Sequence, residues 1–156
     1  MSTGGRFLAG VAGLVEDPTG RCLLLRRAPG RDFAPGVWEC VTGRLEQGEG
    51  FEDALHREMR EETGLSVSIA RILGTTHFHR GAAVTANELV GVVYLCRTTD
   101  TAGVTLSAEH SEARWATAPE ASALVAGDAH PTARWLQRVL TRWQTPPGSG
   151  GSRELG

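Results

Sequence analysis

The segment from residue 43 to residue 65, GRLEQGEGFEDALHREMREETGL, places the strongest constraint on the fold of this chain. A helical pattern begins near Gly50, runs to Thr63 and meets a glycine that is well placed to end it. The helix carries three closely spaced glutamates, Glu58, Glu61 and Glu62. Like charges at such spacings weaken a helix, so a stable fold must compensate for them.

A helical wheel shows which way these glutamates point. With Glu58 at the origin and a step of about 100° per residue, one side forms an apolar stripe: Phe51, Leu55 and Met59. Glu62 falls inside this stripe, Glu58 borders it, and Glu61 lies at its edge. The opposite side carries Asp53, His56 and Arg60 and is typical of a solvated face. Solvation does not explain Glu58 and Glu62, which turn toward the predicted core.

Carboxylates at a core boundary suffer desolvation and mutual repulsion unless a cation compensates for them. An all-oxygen ligand set, with no thiolate or histidine pair nearby, favours a hard cation over zinc. We therefore expect Mg²⁺, with Mn²⁺ as a possible substitute. Because Mg²⁺ commonly bridges carboxylates to substrate phosphates, the helix indicates phosphate chemistry.

The rest of the chain predicts a mixed β-sheet flanked by helices, an α+β fold. Strand character is found at 7–15, 21–27, 37–42, 65–79, 87–97 and around 112–116, and further helices at 118–126 and 130–143. The last helix has an apolar stripe most simply read as core: Trp135, Leu136, Val139, Leu140 and Trp143. Residues 1–144 are expected to form one domain, and the Pro-, Gly- and Ser-rich residues 145–156 a flexible tail.

Net charge and cysteine content limit the classes of partner and the cellular compartment that we expect. A formal net charge of −2 argues against nucleic-acid and membrane binding, so a small molecule is the expected partner. Three cysteines, Cys22, Cys40 and Cys96, lie far apart in apolar runs and are expected to be buried free thiols. The run FLAGVAGLV is interpreted as a strand rather than a signal peptide, which favours the cytoplasm. The oligomeric state is left open between monomer and homodimer.

The segment at 43–65 resembles the complete Nudix box, a glycine, a glutamate and an arginine–glutamate helix at fixed spacing. The matching positions are Gly43, Glu49, Arg57, Glu58, Met59, Glu61, Glu62, Gly64 and Leu65. The order of predicted elements extends the resemblance over roughly residues 5–144 and implies the Nudix α/β/α sandwich. The segment that leads into the box reads VTG, where many members have PGG. This difference from the family pattern concerns the class of substrate more than the hydrolytic activity.

The resemblance implies Mg²⁺-dependent hydrolysis of a diphosphate bond in a nucleotide or nucleotide derivative. It implies that Glu58, Glu61 and Glu62 bind the metal together with the backbone carbonyl near Gly43, and that Arg57 pairs with Glu49. Glu61 or Glu62 is expected also to act on the attacking water, and Glu109 to be a fourth ligand or the base. A weaker similarity, in VWECVTGRLEQGE and EHSEARW, is to the dihydroneopterin triphosphate pyrophosphatases.

Three residues outside the box are candidates for substrate binding. Arg26 and Arg27 end a predicted strand, and either could reach a phosphate or pair with a surface acid. Trp38 could stack on a base or belong to the core. In the same way, His77 and His79 share one side of a strand, which could bind substrate or be solvated.

Two other functions compete with hydrolysis. A domain that senses nucleotides without cleaving them would not need all three catalytic carboxylates, which argues against it. A phosphate-loop NTPase requires a GK[ST] ending after a glycine-rich loop, and the sequence has none.

Overall fold

The computed structural model describes residues 4–156, which fold into one mixed sheet between helices. The seven strands of the described residues are β1 (Leu8–Glu16), β2 (Cys22–Arg27), β3 (Trp38–Glu39), β4 (Val41–Arg44), β5 (Ser68–His79), β6 (Glu88–Arg97) and β7 (His110–Ala116). The three α-helices within residues 4–156 are α1 (Phe51–Thr63), α2 (Ala118–Val125) and α3 (Pro131–Gln144), and a 3₁₀ turn spans Thr85–Asn87.

Strand β1 lies at the centre of the sheet. It pairs in parallel with β6 along its whole length and antiparallel with β4 and β2, in the order β3-β2-β1-β6-β5. Strand β4 pairs with β1, and β7 pairs with β2 off this path. Both parallel and antiparallel pairs are present, which confirms the predicted mixed sheet.

Alternate residues of the strands face two separate cores. Leu14 and Leu24 pack with α2 and α3, whereas Val15 and Leu23 pack with Leu55 and the rest of the apolar stripe of α1. Side chains of successive strand residues point to opposite faces, so a sheet covered on both sides has apolar residues at both positions. The predicted α/β/α sandwich is confirmed, and the three cysteines are buried and free as predicted.

Helix α1 ends as the sequence predicts. Gly64 has φ of 72°, in the left-handed region that glycine adopts without strain, and its N–H donates to the carbonyl of Arg60. No helix within residues 4–156 is both long enough and apolar enough to cross a membrane.

The predicted single strand at 37–42 is instead two strands with a break at Cys40. Strand β3 pairs with β2, whereas β4 crosses to pair with β1, so the chain changes partner between them. The sequence alone does not reveal this change because both halves have the same extended, apolar pattern.

The C-terminal residues differ from the flexible tail that the composition predicts. Residues 153–156 lie along β5: Glu154 pairs in parallel with Thr75, and Leu155 is buried in the core. Arg153 and Leu155 exchange backbone hydrogen bonds with Thr75. Gly74 makes room for this segment, because a Cβ there would overlap the Arg153 carbonyl oxygen. The unpaired edge of β5 and one apolar side chain thus order a segment of low-complexity composition.

Candidate active site

A cavity of about 620 Å³ opens between the sheet, α1, the start of α3 and the loop at residues 28–36. Its size is that of sites for small ligands. Two kinds of charge line it. The carboxylates are Glu39, Glu46, Glu58, Glu62 and Glu109, and the guanidinium groups are Arg27, Arg31, Arg44, Arg80 and Arg138.

Glu62 is the most unusual carboxylate of the cavity. It is 4% exposed, and its Oε2 atom has no hydrogen-bond partner within residues 4–156. Burial, together with the charges of Glu39, Glu58 and Glu109, raises the pKa of Glu62 to about 9. A carboxylate in this position is ready for a cation, because a bound positive charge would restore its ionised form.

Glu58 lies against the backbone of β4. A Cβ built on Gly43 would overlap the carboxylate of Glu58, so only glycine permits this approach. Burial raises the pKa of Glu58, although the neighbouring Arg57 opposes the shift. The structure thus brings together Gly43, Glu58 and Glu62, three of the predicted metal-binding positions.

Arg57 ties the loop at residues 44–49 to α1. Its Nε and Nη2 atoms donate to the two carboxylate oxygens of Glu49 at 2.7 and 2.8 Å, and Nη2 also donates to the carbonyl of Arg44. The bidentate pair lowers the pKa of Glu49 to about 2 and raises that of Arg57. The same guanidinium contacts Glu58 at 2.8 Å and Glu61 at 3.3 Å.

Glu61 and Glu109 lie at the rim. The side chain of Glu61 is 58% exposed, points toward Arg57 and does not line the cavity. Glu109 lines the cavity immediately before β7 and forms an ion pair with Arg31 at 3.2 Å. His110, next to it, is buried, and Glu112 pairs with Arg26 and Arg114 outside the cavity.

The residues fit a hard cation in their chemistry, although they are not gathered around one. Within residues 4–156, no three His, Cys, Asp or Glu side chains are grouped closely enough to hold a metal ion as they stand. The unpartnered oxygen of Glu62 and the space that Gly43 leaves for Glu58 are nevertheless the features that a cation would use. All donors here are oxygens, as Mg²⁺ and Mn²⁺ prefer.

Of the three residues predicted to bind substrate, the structure places one in the cavity wall and two outside it. Trp38 belongs to the core and carries the guanidinium of Arg114 over its ring, and Arg26 is half-exposed beside Glu112. Neither lines the cavity. Arg27 does line it but is buried, and its Nη1 atom lies 2.6 Å from Glu39.

Glu39 is the residue that the sequence interpretation missed. It is 1% exposed, pairs with Arg27, and accepts a hydrogen bond from Thr42 at 2.8 Å. Burial opposes its ionisation, but His110, Arg27 and Thr42 together keep its pKa below the ordinary value. The signal was a single carboxylate in the apolar run VWECVT, since a buried acid needs a buried partner.

The two histidines considered for substrate binding, His77 and His79, also lie in different environments. His79 lines the cavity, whereas the exposed His77 bonds Glu88 at 2.8 Å on the sheet edge. Part of the cavity lining is aromatic and basic and includes Phe33, Phe78, Arg80, His130 and Trp135.

Comparison with known proteins places these features in a family. The family model described as NUDIX domain matches residues 6–144. The MutT protein from Methanosarcina mazei Go1 has a solved structure that superposes with a TM-score of 0.71 at 24% identity, covering 92% of this chain and 96% of that one. At this identity the likeness supports the fold.

Two curated relatives share shorter segments. An octanoyltransferase of Myxococcus xanthus is 36% identical over 104 residues, which are 67% of this chain and 28% of the relative. The NAD-capped RNA hydrolase NudC of Chromobacterium violaceum is 46% identical over 52 residues, which are 33% of this chain and 19% of the relative. The chain therefore spans less than a third of the length of either relative.

Proposed function

The chain belongs to the Nudix domain family, and we propose that it hydrolyses the diphosphate bond of a nucleoside di- or triphosphate or a related nucleotide derivative. Water attacks phosphorus, and Mg²⁺, or Mn²⁺ in its place, is the cofactor. The substrate is a small molecule that enters the cavity between α1 and α3.

One observation carries this proposal: the buried carboxylate of Glu62 lies beside Glu58, and its Oε2 atom has no hydrogen-bond partner within residues 4–156. A folded protein gains nothing from such a group unless a ligand compensates for it, because the burial of an unpaired acid destabilises the fold. The cavity beside it also presents arginines to an anionic substrate. A site with carboxylates for a cation and guanidinium groups for phosphates fits a metal–diphosphate complex.

The metal would be held by Glu58, Glu61 and Glu62 with the carbonyl oxygen of Gly43. A bound divalent cation supplies Lewis acidity toward a phosphoryl oxygen and neutralises negative charge on the diphosphate. Glu61 is exposed at the rim and would turn inward to join the other two.

The other residues position the reactants. Arg57 holds Glu49 and the loop at residues 44–49 against α1, which fixes the entrance to the metal site. Glu109 lies on the cavity wall and can accept the proton of the attacking water, a role for which Glu61 and Glu62 remain alternatives. Arg27 can donate to a phosphate from its Nη2 atom, which has no partner within residues 4–156.

The relative from Chromobacterium violaceum supports hydrolysis as the reaction class, because its name describes a hydrolase and it is 46% identical to this chain over 52 residues. The substrate is a separate question, since the arginines and aromatic residues that face the cavity lie outside residues 43–65, with the exception of Arg44.

The competing function is a domain that binds nucleotides without cleaving them. A panel of nucleoside di- and triphosphates, sugar nucleotides and dihydroneopterin triphosphate separates the two, with phosphate detected colorimetrically after treatment of products with a phosphatase. We expect release that requires Mg²⁺ and is lost in Glu62→Gln and Glu58→Gln. Glu52→Gln is the matched control, because Glu52 is exposed in the first turn of the same helix.

Tight nucleotide binding with no product under any metal condition would favour the sensing domain. Release of phosphate at the same rate in wild type and in Glu62→Gln would contradict the assigned site but not the assigned reaction class.

A further inference from the structure

One wall of the cavity contains an arginine stacked on an aromatic ring. Arg80 follows β5, and its guanidinium carbon lies 4.6 Å from the centroid of the Phe33 ring. Arg27 approaches the same ring at 5.7 Å, and His130 meets it edge-on at 5.7 Å. Phe33 is therefore a platform that holds two guanidinium groups at one end of the cavity.

In the part of the chain that the structure describes, two of the arginines at this end of the cavity are paired with acids, and two are not. Arg27 pairs with Glu39, and Arg31 pairs with Glu109. Within residues 4–156, neither Arg44 nor Arg80 has a carboxylate oxygen within 4.0 Å, although both line the cavity. Burial, with the charges of Arg44, Arg27 and Arg31, lowers the pKa of Arg80. Convergent cations without counterions repel one another, and a bound anion would remove that cost.

We propose that Arg80, held over the ring of Phe33, forms with Arg44 a second anion subsite, which binds a phosphate group other than the two joined by the hydrolysed bond. This inference rests on the proposed function and narrows its substrate class: the site favours nucleotides with three phosphates over those with two. A guanidinium fixed by stacking presents its N–H donors as a preorganised fork, which matches the oxygens of a phosphate. The backbone of Phe33 is tied to the same group of residues, because its carbonyl accepts a hydrogen bond from the Nε atom of Arg27 at 2.9 Å.

The arrangement also explains the distribution of charge in the cavity. The acids Glu58 and Glu62 belong to α1. Arg80 directly follows β5, and Phe33 belongs to the loop at residues 28–36. A long polyphosphate with its metal can contact both groups, whereas a diphosphate engages fewer of these charges. Arg80 is thus a specificity-determining residue that acts on substrate affinity.

The first test measures binding without catalysis. Inorganic tripolyphosphate and pyrophosphate are titrated calorimetrically into the whole chain in EDTA. We expect wild type to bind tripolyphosphate, Arg80→Ala to bind it about tenfold more weakly, and Arg80→Lys to lie between them because lysine keeps the charge but not the planar fork. Phe33→Leu should weaken binding in the same direction, because it removes the aromatic platform.

Arg114→Ala is the matched control, since Arg114 lies over the ring of Trp38 at 5.4 Å but does not line the cavity. It should bind tripolyphosphate as wild type does. Equal affinity of wild type and Arg80→Ala, or no binding by wild type, overturns the subsite.

The second test uses turnover. Arg80→Ala should raise KM about tenfold for a nucleoside triphosphate, with kcat within about twofold, and should leave KM for the matching diphosphate nearly unchanged. An equal rise in KM for both substrates overturns the proposed selectivity. If no nucleotide is hydrolysed while tripolyphosphate binding still depends on Arg80, the hydrolase function fails and the anion subsite stands.

Discussion

Gly43 has no side chain where the carboxylate of Glu58 lies, so this acid of helix α1 packs directly against the backbone of strand β4. A Cβ built on Gly43 would overlap both the carboxylate carbon and the Cγ atom of Glu58. The strand backbone and the acid are therefore fitted to each other, and the acid cannot hold this position beside any other residue type.

Gly43→Ala should displace Glu58 and lower kcat by at least about a hundredfold, because a shift of about 1 Å at a catalytic site can cost that much. Steady-state kinetics at saturating Mg²⁺ tests this. Gly30→Ala is the control, since a Cβ at Gly30 meets nothing within 4 Å. Wild-type kcat in Gly43→Ala would show that the close approach has no role in turnover.

Glu62→Gln should abolish activity yet stabilise the metal-free protein, by about 2 kcal/mol at pH 8, because it removes a buried acid with an unpartnered oxygen. The pKa of Glu62 is raised from 4.5 to about 9 in the folded chain. Below pH 4.5 the group is neutral in both states and costs nothing. As pH rises from 4.5 toward 9 the unfolded state ionises first, so the wild type loses stability relative to Glu62→Gln.

Urea unfolding in EDTA across this pH range measures the difference. The control is Glu61→Gln, because the Glu61 side chain is 58% exposed and its replacement should leave stability nearly unchanged. Mg²⁺ should stabilise wild type more than Glu62→Gln. Two parallel curves of stability against pH would refute the burial cost.

Glu49→Gln should loosen the loop at residues 44–49 and lower kcat about tenfold, because Arg57 loses its bidentate partner and is freed to pair more closely with Glu58 and Glu61. The pKa of Glu49 is lowered from 4.5 to about 2. Its contribution to stability is therefore present above pH 4.5 and is lost as pH falls from 4.5 toward 2.

Acid unfolding followed by circular dichroism should consequently be shallower in Glu49→Gln than in wild type within that interval. Glu52→Gln provides the comparison, since Glu52 is exposed and has no ion pair within residues 4–156. If both variants retain wild-type kcat, the pair with Arg57 does not position the site.

Leu155→Ala should destabilise the fold by about 2–4 kcal/mol, because it removes a buried leucine from the core that α3 covers. Gly74→Ala should destabilise it through the same contact, since its Cβ would overlap the carbonyl of Arg153. Thermal unfolding measures both, and their effects should be less than additive because the two residues touch.

Gly150→Ala lies in the same C-terminal segment with nothing within 4 Å of the added Cβ, and should leave the melting temperature unchanged. An unaltered melting temperature in Leu155→Ala would mean that residues 153–156 do not pack on β5 in solution.

The local pattern of the sequence predicted most of the fold. Periodicity gave the helix at 50–63, its stop at Gly64 and the strands of the mixed sheet, because these depend on neighbours a few residues away. The same periodicity predicted that Glu62 faces the core, and the structure places it there at 4% exposure. The spacing of the acids in the box likewise needs no tertiary information, since a helix fixes their relative directions.

The sequence could not predict partners that are distant along the chain. The pairing of Glu39 with Arg27, the stacking of Arg80 on Phe33 and the docking of Leu155 beside β5 join residues whose separations carry no periodic signal. For Trp38 the sequence allowed two roles, a platform that stacks on a base or a residue of the core. The structure places it in the core, and the packing of the sheet decides between the two roles. Short-range backbone geometry sets where a side chain points, whereas the packing of strands and loops decides what it meets, and burial and charge depend on that second step.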